Sequence, residues 1–177
     1  MRKVNVIGTS GTGKTTFAIA LAERLGYPVI HMDALFWKAG WTESADEEFF
    51  AKLEQVLSCD RWVLDGNYSR SQSVKWKDVD TIIWLDFSFT RTFMQALKRA
   101  IGRIWSREEL WPGTGNRESL RLLFSRHSII LWTLRMYPKN KKRYANIMTD
   151  PQYEHIKFVR LKSPSECRIF IDSVRAG

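Results

Sequence analysis

Four residues near the start of the chain carry the most specific chemistry. Gly8, Gly13, Lys14 and Thr15 are spaced as G-x-x-x-x-G-K-[ST] within "GTSGTGKT". Such a loop cradles a polyphosphate: backbone N–H groups at a helix N-terminus point at the phosphates, where the helix dipole favours negative charge. Glycines let the backbone approach the ligand closely. The Lys14 ammonium reaches the outer phosphates, and the Thr15 hydroxyl is placed to hold Mg²⁺. The expected ATP contact therefore comprises Gly8, Thr9, Ser10, Gly11, Thr12, Gly13, Lys14, Thr15 and Thr16.

The destination of the phosphate is a separate question, and three aspartates bear on it. Asp33 follows the apolar run "VIHM", Asp65 closes "RWVLD" and Asp86 closes "DTIIWLD". Open α/β sheets bind ligands at the C-terminal ends of their strands. A carboxylate there holds Mg²⁺ through water, or accepts a proton from a substrate hydroxyl. Asp33 and Asp65 are the functional candidates, while Asp86 reads as a turn or cap residue. Phe36 and Trp37 are assigned to an acceptor pocket, and Trp41 and Tyr68 to packing. His31, His127 and His155 have no evident partner in the sequence and read as structural.

These residues need elements to position them. "VNVI" is a strand leading into the loop, and a helix follows from Lys14 until Gly26 stops it. "YPVIHM" (27–32) reads as a second strand. A capping-box pattern, Ser44 with Glu47, starts the next helix at Ser44. Continuous apolar strands at 61–65 and 80–86 suit a parallel sheet covered on both faces. An amphipathic helix is expected at about 88–104, with Phe89, Phe93, Ala96, Leu97, Ala100, Ile101 and Ile104 as its buried stripe. Pro112, Gly113 and Gly115 break the pattern. Helical spacing resumes with Leu120, Leu123, Phe124, Ile130, Leu131 and Leu134. A last strand, 155–161, and a last helix, 164–174, complete an α/β alternation.

The 177 residues suffice for one domain with a sizeable core. The net charge of +9 is concentrated. Residues 88–145 hold 13 Lys or Arg against 3 Asp or Glu, so one segment carries the whole excess and points to a local anionic partner. The two cysteines, Cys59 and Cys167, lack metal-ligand spacing and read as reduced thiols of a cytoplasmic protein. No apolar run approaches the roughly 20 residues of a membrane span. The N-terminus is no signal peptide, because its short apolar run leads straight into the phosphate loop.

Taken together, "VNVIGTSGTGKTTFAIALAERLG", the aspartate of "VIHMDALFW" and "WVLDGNY" resemble the small P-loop kinases of the adenylate kinase and shikimate kinase type. Within that group the first half of the chain most resembles the bacterial topology modulation proteins, also labelled adenylate kinase-like. "ELWPGTGNRESL" is similar to their lid segment. The resemblance implies a three-layer P-loop nucleotide kinase fold: a five-stranded parallel sheet, helices on both faces and a helical, arginine-rich lid. It implies one domain over 1–177 with a lid-like insertion at about 104–118. "RAIGR" resembles the arginine pair at the lid entrance of adenylate kinases. That likeness implies adenine stacking for Arg99 and contact with the transferring phosphate for Arg103.

The chain also departs from adenylate kinases. Between Ala34 and Asp60 the only cations are Lys38 and Lys52, and "DGNYSR" places Arg70 one residue later than their arginine. Asp33 resembles instead the aspartate that shikimate- and gluconate-type kinases direct at a hydroxyl. The sequence thus reads as an ATP- and Mg²⁺-dependent phosphotransferase acting on a nucleotide or a small hydroxylated metabolite. Its catalytic residues are Lys14, Asp33, Arg99 and Arg103. The acceptor lies among Asp33, Phe36, Trp37, Asp65, Asn67 and Arg70. The rival reading is an ATP-binding protein acting on nucleic acid, favoured by the basic segment but lacking any nucleic-acid-binding signature.

Overall fold

The computed structural model describes residues 1–106, 109–111, 113–117, 119 and 128–174. Five parallel strands form the central sheet: β1 (Lys3–Gly8), β2 (Val29–His31), β5 (Trp62–Asp65), β6 (Thr81–Leu85) and β7 (Lys157–Leu161). Their spatial order is β2-β5-β1-β6-β7. The phosphate-loop strand β1 is therefore central, flanked by the strands that end at Asp65 and Leu85.

Alternating side chains feed two cores. Val4, Val6, Val63, Ile83 and Leu85 pack against α1 (Lys14–Leu25) and the final helix α7 (Pro164–Ser173). Ile7, Trp62, Leu64, Ile82 and Trp84 face the other way. They pack against α3 (Asp46–Leu57) and α6 (Ile129–Ile147). Period-2 alternation on strands buried on both sides is what makes a three-layer α/β fold, with helices on both faces. The five-stranded parallel sheet with helices on both faces expected from the sequence is observed.

Several local expectations are corrected. Strand β2 ends at His31, because Met32 opens a short helix α2 (Met32–Phe36) that carries Asp33. A two-residue antiparallel hairpin follows, β3 (Trp37–Lys38) with β4 (Thr42–Glu43). Helix α3 begins at Asp46 rather than Ser44, with no side-chain cap; the Ser44 hydroxyl instead donates to the Leu35 carbonyl at 3.4 Å. In α5 (Phe89–Ser106) the buried line is Thr92, Ala96 and Ala100, whereas Phe89 and Ile101 are exposed. The small residues win because α5 docks directly on the phosphate loop. Gly11 has φ +93°, and a Cβ there would lie 2.5 Å from the Thr92 carbonyl oxygen and 2.8 Å from the Ala96 Cβ. Leu120, Leu123, Phe124 and His127, together with part of the lid-like stretch, lie outside the described residues.

Candidate active site

Helix α1 opens without a side-chain cap or an acidic residue in its first turn, after Gly13 in the left-handed region at φ +81°. Its leading N–H groups are thus left for an anion. The loop is braced internally: Thr12 donates to the Thr9 carbonyl through both its backbone N–H (3.2 Å) and its hydroxyl (2.9 Å). Lys14 bends back over the loop, its Nζ 3.4 Å from the same carbonyl oxygen. Burial lowers the Lys14 pKa, and the nearby carboxylates of Asp65 and Asp33 oppose that shift.

Those two carboxylates come from separate elements. Asp33 sits on α2, and Tyr68 donates its phenolic hydrogen to Asp33 Oδ1 at 2.6 Å. Burial raises the Asp33 pKa. The Tyr68 hydrogen bond and the Lys14 charge oppose that rise without reversing it. Asp65 behaves differently. Burial pushes its pKa up, but hydrogen bonds from His31 and Thr15 and the charge of Lys14 outweigh this, leaving it below the ordinary carboxylate value. His31 Nδ1 lies 3.2 Å from Asp65 Oδ2, and this hydrogen bond raises the His31 pKa. Parallel register explains the pairing, since His31 and Asp65 are cross-strand partners at the ends of β2 and β5. The two carboxylates beside one lysine thus shift in opposite directions, Asp33 up through burial and Asp65 down through its hydrogen bonds and the Lys14 charge.

Thr15 and Asp65 fit a Mg²⁺ site. A hydroxyl and an ionised carboxylate stand together at the loop, and among the described residues no cluster of three or more His, Cys, Asp or Glu forms a metal cage. Mg²⁺ in phosphotransferases is held by few protein ligands plus phosphate oxygens and water.

From the lid side, Arg99 Nη2 donates to Ser10 Oγ at 2.9 Å, and its charge acts on both Lys14 and Asp33. Arg99 is therefore in direct contact with the phosphate loop. Arg103 lies one turn further along α5. Asn116, 2% exposed, donates to the Lys38 carbonyl (2.9 Å) and accepts from the Trp41 N–H (2.9 Å), tying the lid-like stretch to the β3–β4 hairpin.

The expected acceptor residues divide. Asp33 and Asp65 lie within electrostatic reach of Lys14, while the half-buried Trp37 packs edge-on against Phe36 and Trp41. Phe36 is corrected: it is 2% exposed, enclosed by the rings of Trp37, Phe49 and Tyr68, and so belongs to the core wall. Asn67 is already engaged, its amide donating to the Gly8 carbonyl (3.2 Å) and the Tyr144 oxygen (2.6 Å). Arg70 is paired with Asp46 (3.1 Å) and Glu43 (3.5 Å), and its guanidinium lies over Phe36. Asp86, expected as a turn or cap residue, instead forms ion pairs: Arg160 Nε donates to it at 2.9 Å and Lys141 Nζ lies 3.8 Å away. Sequence reasoning missed the roles of Tyr68 and His31. Each pairs with a carboxylate more than thirty positions away, for which the sequence carries no local signal.

Comparison with known proteins extends this picture. A family model for the ATPase family associated with various cellular activities (AAA) matches residues 4–60, the segment holding the phosphate loop and Asp33. No curated protein matches the sequence. Solved structures similar over nearly the whole chain include the following three. One is a shikimate kinase from Acinetobacter baumannii in complex with shikimate (14% identity, 97% of this chain and 89% of that one, TM-score 0.58). Another is a shikimate kinase from Bacteroides thetaiotaomicron (14%, 96% and 93%, TM-score 0.53). The third is a gluconokinase from Sinorhizobium meliloti 1021 (18%, 97% and 91%, TM-score 0.51). The chain has the fold of these kinases.

Proposed function

We propose that the protein is an ATP-dependent phosphotransferase whose acceptor is a hydroxyl group of a small polar metabolite. The observation that carries this reading is the Asp33 carboxylate. It is held by Tyr68 at 2.6 Å, lies within electrostatic reach of Lys14, and has a pKa raised above the ordinary carboxylate value. A more basic carboxylate beside the phosphate loop suits proton removal from an alcohol. The engagement of Arg70 by Glu43 and Asp46 argues in the same direction, because a nucleoside monophosphate acceptor needs an available cation for its phosphate. The similar structures are named as shikimate kinases, one in complex with shikimate, and a gluconokinase, which supports a small-metabolite acceptor.

In the proposed reaction the backbone N–H groups of the loop and Lys14 bind the ATP phosphates. Arg99 and Arg103 complement charge that spreads over the γ-phosphoryl oxygens. Thr15 and Asp65 would hold Mg²⁺, which when bound neutralises phosphate charge. The acceptor oxygen bonds to the γ-phosphorus as the bond from that phosphorus to the β–γ bridging oxygen breaks. The hydroxyl proton passes to the Asp33 oxygen not held by Tyr68, and ADP departs. The segment from about 104 to 118 would act as the lid, with Asn116 as its contact to the acceptor-side hairpin.

The test is ADP release from Mg·ATP against a panel of hydroxylated sugar acids and carbocyclic acids, nucleosides and nucleoside monophosphates. Turnover is expected with a hydroxylated acid and not with AMP. Rapid AMP turnover that is indifferent to Asp33→Asn would reject the hydroxyl reading and favour the adenylate kinase-like one. Action on nucleic acid rests on the basic excess alone, and several of its cations are engaged within the fold, among them Arg99 with Ser10, Lys141 with Asp86 and Arg143 with Gln72.

A further inference from the structure

A shallow basic concavity that shares no residue with the phosphate loop lies on the flank of α6. It has a volume of about 550 Å³ and is lined by Lys139, Lys142 and Arg143 of α6 and by Gln72 of α4 (Gln72–Lys75), with Asp150 and Tyr153. Its cations are not equivalent. Arg143 is held in place: its Nη2 donates to Gln72 Oε1 at 2.5 Å, and Gln72 Nε2 donates to the Tyr153 oxygen at 2.8 Å. Lys139 and Lys142 have no ion-pair partner among the described residues.

One helical turn beyond Gln72 is Lys75, which is 1% exposed. It has no carboxylate partner among the described residues. Its ammonium lies 5.4 Å from the centroid of the Trp76 ring, and that ring packs edge-on against Tyr153 of the cavity wall. The charge that acts on Lys75 is Arg143, which has the same sign. Burial first, and then Arg143, pull the Lys75 pKa down to about 7. Burying an ammonium next to a guanidinium without a counter-ion is unfavourable. An anion in the adjoining concavity removes that penalty.

We infer that this concavity is a binding site for a small phosphate-bearing anion, separate from the phosphate loop and independent of the phosphotransfer reading. The oriented Arg143 and the two unpaired lysines contact the anion, and Lys75 stabilises it through the low-dielectric wall. A small anion is favoured over a nucleic-acid backbone because two of the four basic groups are withdrawn from the open surface: Arg143 is half-buried and Lys75 lies buried behind the lining. A duplex resting on the surface engages only Lys139 and Lys142.

The experiment uses inorganic sulfate, a phosphate mimic whose charge does not change near neutral pH. Binding is followed calorimetrically at pH 8 in two buffers of different ionisation enthalpy. The titrated protein is Lys14→Ala, which weakens the phosphate loop by removing its ammonium, and the Arg143 and Lys75 variants made in that background report on the concavity alone. Sulfate is expected to bind this variant, to bind roughly tenfold or more weakly after Arg143→Gln is added, and to take up protons as Lys75 becomes charged. The proton uptake is expected to disappear with Lys75→Met, which replaces the ammonium by an apolar chain of similar length. Absence of sulfate binding in Lys14→Ala, indifference to Arg143→Gln, or undiminished proton uptake in Lys75→Met would each overturn the site. Duplex DNA binding that depends on Lys139 and Lys142 but not on Lys75 or Arg143 would overturn it in favour of a nucleic-acid surface.

Discussion

Tyr68 donates its phenolic hydrogen to Asp33 Oδ1 at 2.6 Å, joining the loop after β5 to the short helix after β2. The ring of Tyr68 packs on Phe36 and Phe49, so a side chain anchored in the core fixes the orientation of the candidate base. The bond also lowers the Asp33 pKa against the stronger upward push of burial. Tyr68→Phe keeps the packing and removes the bond. The acid limb of the kcat–pH profile is expected to move to higher pH in this variant. Asp33→Asn should lower kcat by about 10²-fold or more and abolish that limb. An acid limb at the same pH in wild type and Tyr68→Phe would show that Asp33 does not titrate it.

Arg99 is placed on the loop by its bond to Ser10, and Lys139 and Lys142 face a different surface. Arg99→Ala is expected to reduce phosphotransfer by roughly 10²-fold, as for loss of one donor to transition-state charge. Lys139→Ala and Lys142→Ala should each leave kcat/KM within about twofold of wild type, the range typical of surface substitutions. Steady-state ADP production distinguishes the two groups. Equal losses in all three variants would contradict the assignment of Arg99.

His31 and Asp65 predict a stability that depends on pH in a defined sense. The folded-state pKa of His31 is raised above 6.5 and that of Asp65 lowered below 3.8. The His31 contribution is therefore fully present below pH 6.5 and is lost as pH rises through its folded value; that of Asp65 is present above pH 3.8 and is lost as pH falls through its lowered folded value. Relative to His31→Gln, wild type should be most stabilised at about pH 4–6.5, and the difference should shrink above neutrality. Urea midpoints at pH 5 and pH 8 measure it, and an equal difference at both would exclude a charged pair.

Gly11 sits at φ +93° against α5, where an added Cβ meets the Thr92 carbonyl and the Ala96 side chain. Gly11→Ala is expected to destabilise the fold by about 2 kcal/mol or more through backbone strain and overlap. Adding Ala96→Gly should recover only part, because the Thr92 carbonyl belongs to the backbone and φ stays unfavourable. Complete recovery in chemical denaturation would show that side-chain overlap alone limits this position.

Much of this protein is written locally. The phosphate loop is legible because its glycines, Lys14 and Thr15 act through one continuous turn whose geometry depends on adjacent residues. The alternation of strands and helices is legible because burial on two faces demands continuous apolar strands and amphipathic helices. Asp33 and Asp65 are legible because strand ends converge on the loop. Where local signals compete, they mislead. The Ser44–Glu47 pattern suggests a cap, yet the Ser44 hydroxyl finds the Leu35 carbonyl. The wide apolar stripe of α5 suggests a buried Ile101, yet close approach to Gly11 selects Thr92, Ala96 and Ala100 for the interface.

What remained for the tertiary structure was the choice of partners. Tyr68 with Asp33, His31 with Asp65, Arg99 with Ser10 and Arg143 with Gln72 join residues 34 to 89 positions apart. Arg70 and Asn67 carry suitable chemistry for an acceptor, but Glu43 and Asp46 hold the first, and Gly8 and Tyr144 the second. Periodicity and motif spacing specify which face a side chain occupies, not which distant group meets it there. That is settled by strand order and helix docking, because a hydrogen bond or ion pair forms only within a few ångströms and its strength depends on the burial that packing creates.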